Sequence, residues 1–366
     1  MKKLVILSAI ALLIGSCNQK KSDNSDLSVG FIYIGSKSDY GYNQAHSEGA
    51  NYIKETENVK ILEEENIPET ENVQKSMESM IKLDGVKLIF PTSFGYYDPH
   101  ILKVAKEYPD VTFLHCGGLY NAEKDPKNVA SYFGYIDEAE YLAGMAAGLT
   151  TKTNKLGFIA AKPIPQVLRN INAYTLGARS VNPKVTVTVI FTGDWFMPVK
   201  EAEAVNSLAD QNIDVVTGHV DSPKVIIETA EKRGIFSTGY HVDQTKLASK
   251  GYLTGAVWNW KKVYSDFIKK YKKGEKVTGL FRGGIKEGVV GIAPFGPSVN
   301  DATKKQINDV LAEFKSEKGF TIFKGPLKNN KGQIIIEQGK ELKQTDPILE
   351  KMDYLVEGVI GEVSTK

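Results

Sequence analysis

The chain is predicted to be an α/β protein of two similar lobes, each a doubly wound, mostly parallel sheet, with a ligand cleft between them. Three observations carry this. Short runs rich in β-branched and aromatic residues alternate with helical stretches of about 10–15 residues, the pattern of βαβ units. The alternation runs twice, in two series of about four units, separated by a polar break at Thr150 to Asn154. The chain has 366 residues. About 350 remain beyond an N-terminal leader, which is room for two domains.

The elements follow in order. Lys2 and Lys3 precede an apolar run, Leu4 to Gly15, that ends in Ile14-Gly15-Ser16-Cys17. A run of about twelve residues is shorter than the ~20 that span a bilayer, and the pattern is that of an export signal. Cys17 after small residues resembles a bacterial lipobox, so residues 1–17 are expected to be a lipoprotein signal with Cys17 acylated. That places the protein on the cell membrane, lipid-anchored and facing the periplasm or the extracellular side. Residues 18–27 are polar and read as a flexible tether.

The first series of strands is expected in VGFIYIG, VKILEEEN, VKLIFPTS and VTFLHCGG, the second in KLGFIAA, VTVTVIFTG, DVVTGHV and GIFSTGY. Lobe one is assigned to 28–153 with part of the C-terminal segment, about 256–290. Lobe two is assigned to 154–255 with the remainder, about 291–366. Pro198 opens a helix with Ala202, Val205, Leu208 and Ala209 on one face. Ser222 is expected to cap the helix that starts at Pro223 and ends at Gly234. Asn300 to Lys318 reads as a helix, and the segment around Asn329-Asn330-Lys331-Gly332 as a hairpin.

Several function classes fall away. A net charge of +2 lacks the basic signature of a nucleic-acid binder. Cys116 is the only cysteine besides Cys17, so no internal disulfide is expected beside an acylated Cys17. The five histidines are scattered, with no HExxH and no CxxC, so neither metal nor cofactor is expected. No P-loop or nucleophile elbow is present, and Gly283-Gly284-Ile285-Lys286-Glu287-Gly288 does not match a dinucleotide fingerprint. No catalytic residue is assigned, and a monomeric binding protein rather than an enzyme is expected.

In open parallel sheets, ligands bind beyond the carboxyl ends of the strands. Those positions here hold aromatics with carboxylates and amides. They include Asp39, Tyr42 and Asn43 after the first strand, and Phe94 after the third. In the second series they include Trp195, Phe196, Asp221, Tyr240 and Asp243, with Trp258 in the segment LTGAVWNW. Aromatic faces stack on flat rings at about 1–3 kcal/mol each, and Asp and Asn hydrogen-bond ring N–H, amino and hydroxyl groups. Strand ends lack clustered Lys or Arg, which argues for a flat, uncharged, hydrogen-bonding ligand. Asp39 and Asp243 also suit helix or turn capping. His219 fits a core or rim histidine, and Cys116 a buried, inert thiol.

The segment SDYGYNQAHSEGA (38–50) resembles a D-x-G-[FY]-N motif of the basic membrane protein family of substrate-binding lipoproteins, which includes purine nucleoside receptors. EAEYLAGMAAGLTTKTNKLGFIAA, FTGDWFMPVKEAEA, VTGHVDSP and LVEGVIGEV are similar to further signatures of it. The resemblance implies a type I periplasmic-binding-protein fold with ligand in the interlobe cleft, delivered to an ABC permease in the membrane. It implies aromatics sandwiching a purine, with Asp, Asn and a Lys holding base and ribose. Asp39, Tyr42, Asn43, Phe94 and Asp243 match such positions. Where nucleoside binders carry the Lys, this chain has Trp258, which favours a free base such as adenine over a nucleoside. The alternatives are a sugar-binding protein of the same fold and a ligand sensor or surface adhesin not coupled to a permease.

Overall fold

The computed structural model describes residues 27–363. The leader, Cys17 and the tether up to residue 26 lie outside the described residues. In chain order the first half comprises β1 (Leu27–Ile32), α1 (Tyr42–Thr56), β2 (Val59–Glu64), α2 (Glu71–Asp84), β3 (Leu88–Pro91), α3 (Leu102–Glu107), β4 (Thr112–Cys116), β5 (Val129–Gly134) and α4 (Asp137–Thr150). There follow β6 (Lys155–Ala160), α5 (Pro165–Val181), β7 (Thr186–Phe191), α6 (Pro198–Asp210), β8 (Val215–His219), α7 (Lys224–Arg233), β9 (Phe236–His241), β10 (Tyr252–Trp258) and α8 (Trp260–Lys272). The last part holds β11 (Gly279–Gly283), β12 (Val290–Ile292), α9 (Asp301–Lys315), β13 (Phe323–Lys324), β14 (Leu327–Lys328), β15 (Ile334–Ile336), β16 (Glu341–Leu342) and β17 (Val359–Ile360).

Local chemistry sets many of these boundaries. The Thr70 side chain accepts from the Asn72 N–H to cap α2, and Gly85 ends that helix at φ 66°. Asn300 caps α9 through the Thr303 N–H. Pro165 and Pro198 occupy first-turn positions of α5 and α6, where a missing N–H costs nothing. The inner strands are nearly continuous apolar runs, as parallel strands covered on both faces require; all of β3 and β5 is buried.

Two sheets result. Lobe one has six parallel strands in the order β11-β5-β4-β3-β1-β2. Lobe two has seven in the order β12-β10-β9-β8-β6-β7-β17, all parallel except β12. The chain crosses between lobes three times: from β5 to α4, from β10 to α8, and from β11 to β12.

The first crossing corrects the expected boundary at Thr150–Asn154. Helix α4 packs on α5 and beside β10 in lobe two, so the chain has already crossed between Gly134 and Asp137. Glycines make this packing close: a Cβ on Gly144 would sit 2.1 Å from the Tyr174 carbonyl oxygen, and one on Gly177 1.9 Å from that of Tyr141. The polar stretch at 150–154 is only the turn that feeds β6, because a turn and a lobe crossing look alike in composition. Ser222 also departs from expectation. It does not cap α7, whose N-terminus has no side-chain cap.

Candidate functional site

The site starts at the N-terminus of α1. Both Asp39 carboxylate oxygens are spent there: Oδ1 accepts from the N–H of Gly41 at 2.8 Å and of Gln44 at 3.0 Å, and Oδ2 accepts from the Asn43 N–H at 3.1 Å and its Nδ2 at 2.8 Å. Asn43 Oδ1 accepts from the Gly35 N–H at 3.2 Å. This capped turn meets lobe two directly. The Tyr42 N–H donates to the Asp221 carbonyl at 2.8 Å, Ser222 Oγ to the Asp39 carbonyl at 2.5 Å, and Gln244 Nε2 to the Tyr40 carbonyl at 2.5 Å. The lobes are therefore closed on one another.

Beneath these contacts lies a central cavity of about 60 Å³, walled by the rings of Tyr42, Phe94, Phe133, Trp195 and Trp258. It is flanked by two chambers that share residues with it: an outer one of about 660 Å³ beside the turn before α1 and an inner one of about 560 Å³ beside the first lobe crossing. Tyr42 has its hydroxyl committed to the Thr92 carbonyl at 2.6 Å, so it offers the cavity its ring. Trp258 stacks on Trp260 at 4.7 Å and 14° and meets Phe133 edge-on at 5.2 Å.

Polar groups on the wall divide into spent and free. Trp258 Nε1 donates to His241 Nδ1 at 3.0 Å, and His241 Nε2 reaches the Val220 carbonyl at 3.0 Å. A carbonyl only accepts, so His241 carries its proton on Nε2 and is neutral. Burial, with His219 nearby, pushes its pKa well below the usual histidine value. His241 also holds φ 78°, in the left-handed region that is uncommon for non-glycine residues. His219 is held by Asn170 Nδ2 at 3.0 Å and Tyr240 Oη at 3.3 Å, and burial lowers its pKa to about 3.

Asp221 differs from all of these. It lines both the central cavity and the outer chamber, and its carboxylate accepts no hydrogen bond among the described residues. Burial, then the carboxylates of Asp39, Glu69, Asp194 and Glu201, push its pKa well above the usual range. A poorly compensated carboxylate on an aromatic wall is a ready acceptor for a ligand N–H or O–H.

A family model for PnrA-like ABC transporter substrate-binding proteins matches residues 27–320. A purine-binding protein of Brucella abortus is 35% identical over 97% of this chain and 98% of its own length. The chain belongs to this substrate-binding family. A putative ABC transporter glucose-binding protein of Haloferax volcanii is 31% identical over 93% of the chain and 82% of its own length. Among solved structures, a transcriptional activator of the comK gene from Bacillus halodurans covers 80% of the chain at TM-score 0.69 and 24% identity, matching 99% of its own length. An ABC solute-binding protein from Conexibacter woesei covers 79% of this chain and 96% of its own at TM-score 0.66 and 20% identity. These two share the fold.

Within this substrate-binding protein, the expected residues separate clearly. Tyr42, Phe94, Trp195, Asp221 and Trp258 converge on the central cavity. Asp39, Asn43 and Phe196 line the outer chamber, but Asp39 and Asn43 spend their polar atoms on the turn before α1. Tyr240 and Asp243 do not reach the cleft. Tyr240 is fully buried with its hydroxyl on Asn170 and His219, because it precedes the strand-end residue and alternation points it into the core. Asp243 is exposed and holds the Thr245 N–H and hydroxyl in a local turn. His241, Gln166 and Glu69 line the cavity without having been singled out. For His241 the available signal was its place as the last residue of a strand.

Strand ends are expected to lack clustered Lys or Arg; the cleft nonetheless receives two arginines, one of them from a helix. Arg169 and Arg282 both line the inner chamber. They stand 113 positions apart in sequence and on different lobes, so no local cluster announces them.

Proposed function

We propose that this substrate-binding protein takes a purine in its interlobe cleft, the free base in preference to the nucleoside. It binds rather than transforms its ligand. The observation that carries this is the Asp221 carboxylate, unpartnered among the described residues, on a cavity walled by Tyr42, Phe94, Phe133, Trp195 and Trp258. Aromatic faces stack on a flat ring, and the carboxylate accepts from a ring N–H or an exocyclic amine. The purine-binding relative at 35% identity supports the same ligand class. Trp258, standing where the nucleoside binders that this chain resembles carry a Lys, supports a base over a nucleoside. Acylated Cys17 would hold the protein, as a monomer, beside its permease. Opening and closing of the lobes would load and release the ligand.

A sugar is the second reading. It is favoured by the glucose-binding relative at 31% identity and by the hydrogen-bonding side chains of Asp137, Arg169, Asn170 and Glu350 on the wall of the inner chamber. Calorimetry with adenine, adenosine, guanosine, ribose and glucose separates the two. Adenine is expected to bind most tightly. Trp195→Ala should cost about 1–3 kcal/mol of that affinity. Heat from a sugar alone would overturn the purine assignment.

A further inference from the structure

Two arginines from opposite lobes converge on one carboxylate at the inner mouth of the cleft. Arg169 on α5 places Nη1 3.2 Å from Glu350 Oε1, and Arg282 on β11 places Nη2 3.3 Å from Glu350 Oε2. All three residues line the chamber of about 560 Å³. That chamber shares Phe94, Gly117, Phe133, Ile164 and Gln166 with the central cavity, so a group attached to a bound ligand can reach it. Both guanidiniums lie over rings, Arg169 at 5.3 Å from the Tyr135 centroid and Arg282 at 5.6 Å from that of Phe133. The Arg169 side chain is only 7% exposed, and its Nε faces Asp137 Oδ2 at 3.0 Å. Arg282 has no carboxylate partner but Glu350 among the described residues, and otherwise reaches the Gly118 carbonyl at 3.4 Å.

Oriented guanidiniums of this kind bind carboxylate or phosphate oxygens. Here the oxygens come from the chain itself. Glu350 lies in a short helical turn, Leu349–Lys351, that follows the family-matched residues 27–320. At 45% exposure it sits on the rim, where an ion pair is held weakly. Arg169 and Arg282 against Asp137 and Glu350 sum to zero formal charge, and without Glu350 the mouth carries +1.

We infer that Glu350 is an internal counter-anion that sets ligand charge: it fills an anion site made by Arg169 and Arg282 and so restricts the cleft to uncharged ligands. The class it excludes is the phosphorylated or carboxylated counterpart of the neutral ligand. The choice of nucleotide probe below rests on the purine reading; the anion site itself does not.

The test uses Glu350→Gln, which keeps the side-chain shape and removes the charge. Wild type and variant are titrated with adenine, AMP and inorganic phosphate by calorimetry, and thermal melts are run with and without phosphate. The variant is expected to bind AMP at least about tenfold more tightly than wild type, in a salt-sensitive manner. It should be stabilised by phosphate where wild type is not, with adenine affinity within about threefold of wild type. Arg282→Gln added to Glu350→Gln should abolish the gain. The inference is overturned if the folded variant responds to phosphate and AMP as wild type does, or if wild type already binds AMP as tightly as the variant. Wild type that binds no purine would defeat the purine assignment alone, and the phosphate comparison would still decide the anion site.

Discussion

Trp258 and His241 form one unit on the wall of the cleft: the indole N–H of Trp258 donates to His241 Nδ1 at 3.0 Å, and the His241 Nε2–H donates to the Val220 carbonyl at 3.0 Å. The pair fixes the plane of a cavity-wall ring through a histidine that burial keeps neutral. His241→Asn keeps a residue that tolerates a left-handed backbone but cannot reach both partners. Adenine affinity should fall about tenfold, and unliganded stability by about 1–3 kcal/mol for the orphaned indole donor. Calorimetry and urea denaturation check both.

Gly41 controls how closely the lobes can meet. A Cβ there would lie 1.9 Å from the Asp221 carbonyl oxygen across the cleft. Gly41→Ala should therefore leave each lobe folded and hold the lobes apart. Small-angle scattering with saturating ligand should show a larger radius of gyration than for liganded wild type, and affinity should drop at least about tenfold, roughly 1.4 kcal/mol.

Asp221 carries opposite consequences for stability and binding. Its carboxylate lacks a hydrogen-bond partner among the described residues and sits among other carboxylates, so neutralising it should help the unliganded fold. Asp221→Asn should raise the melting temperature by a few degrees, about what 1 kcal/mol produces in a domain of this size, while lowering ligand affinity about 10- to 100-fold. Scanning fluorimetry and calorimetry on the same preparation check the two signs. A variant that loses stability would show that the carboxylate supports the fold instead.

Glu138, at the first lobe crossing, gives a pH signature. Burial, with Asp137 and Glu287 nearby, raises its pKa from 4.5 to about 7, against hydrogen bonds from the Ile285 N–H and Gln344. Between those values the folded protein holds a proton that the unfolded chain has released. Its contribution to stability is therefore full below about pH 4.5 and declines as pH rises toward about 7. Glu138→Gln should flatten the fall in melting temperature from pH 5 to pH 7.5 relative to wild type, as scanning calorimetry across that range would reveal.

Much of the fold was legible because its signals are local. The eight expected strands coincide with β1 to β4 and β6 to β9, and Gly234 ends α7 at φ 68° as its position suggested. The site was legible in part. Strand ends pointed to Tyr42, Phe94, Trp195, Asp221 and Trp258. They also offered Tyr240 and Asp243, which alternation and a local turn take out of the cleft. Asp39 stands beside the outer chamber, but its carboxylate belongs to the start of α1.

The sequence by itself determined the alternation of strands and helices, the two-lobed α/β class and the aromatic character of the strand ends, because each depends on neighbours within a few residues. Only the tertiary structure decided where the lobes exchange chain, which carboxylate stands free and where charge gathers. Asp221 is free because no donor among the described residues reaches it, while Asp39 is consumed within five residues of itself. Arg169, Arg282 and Glu350 meet only because α5, β11 and the C-terminal turn converge on one mouth. Such encounters between distant segments are set by packing and desolvation, which no local pattern records.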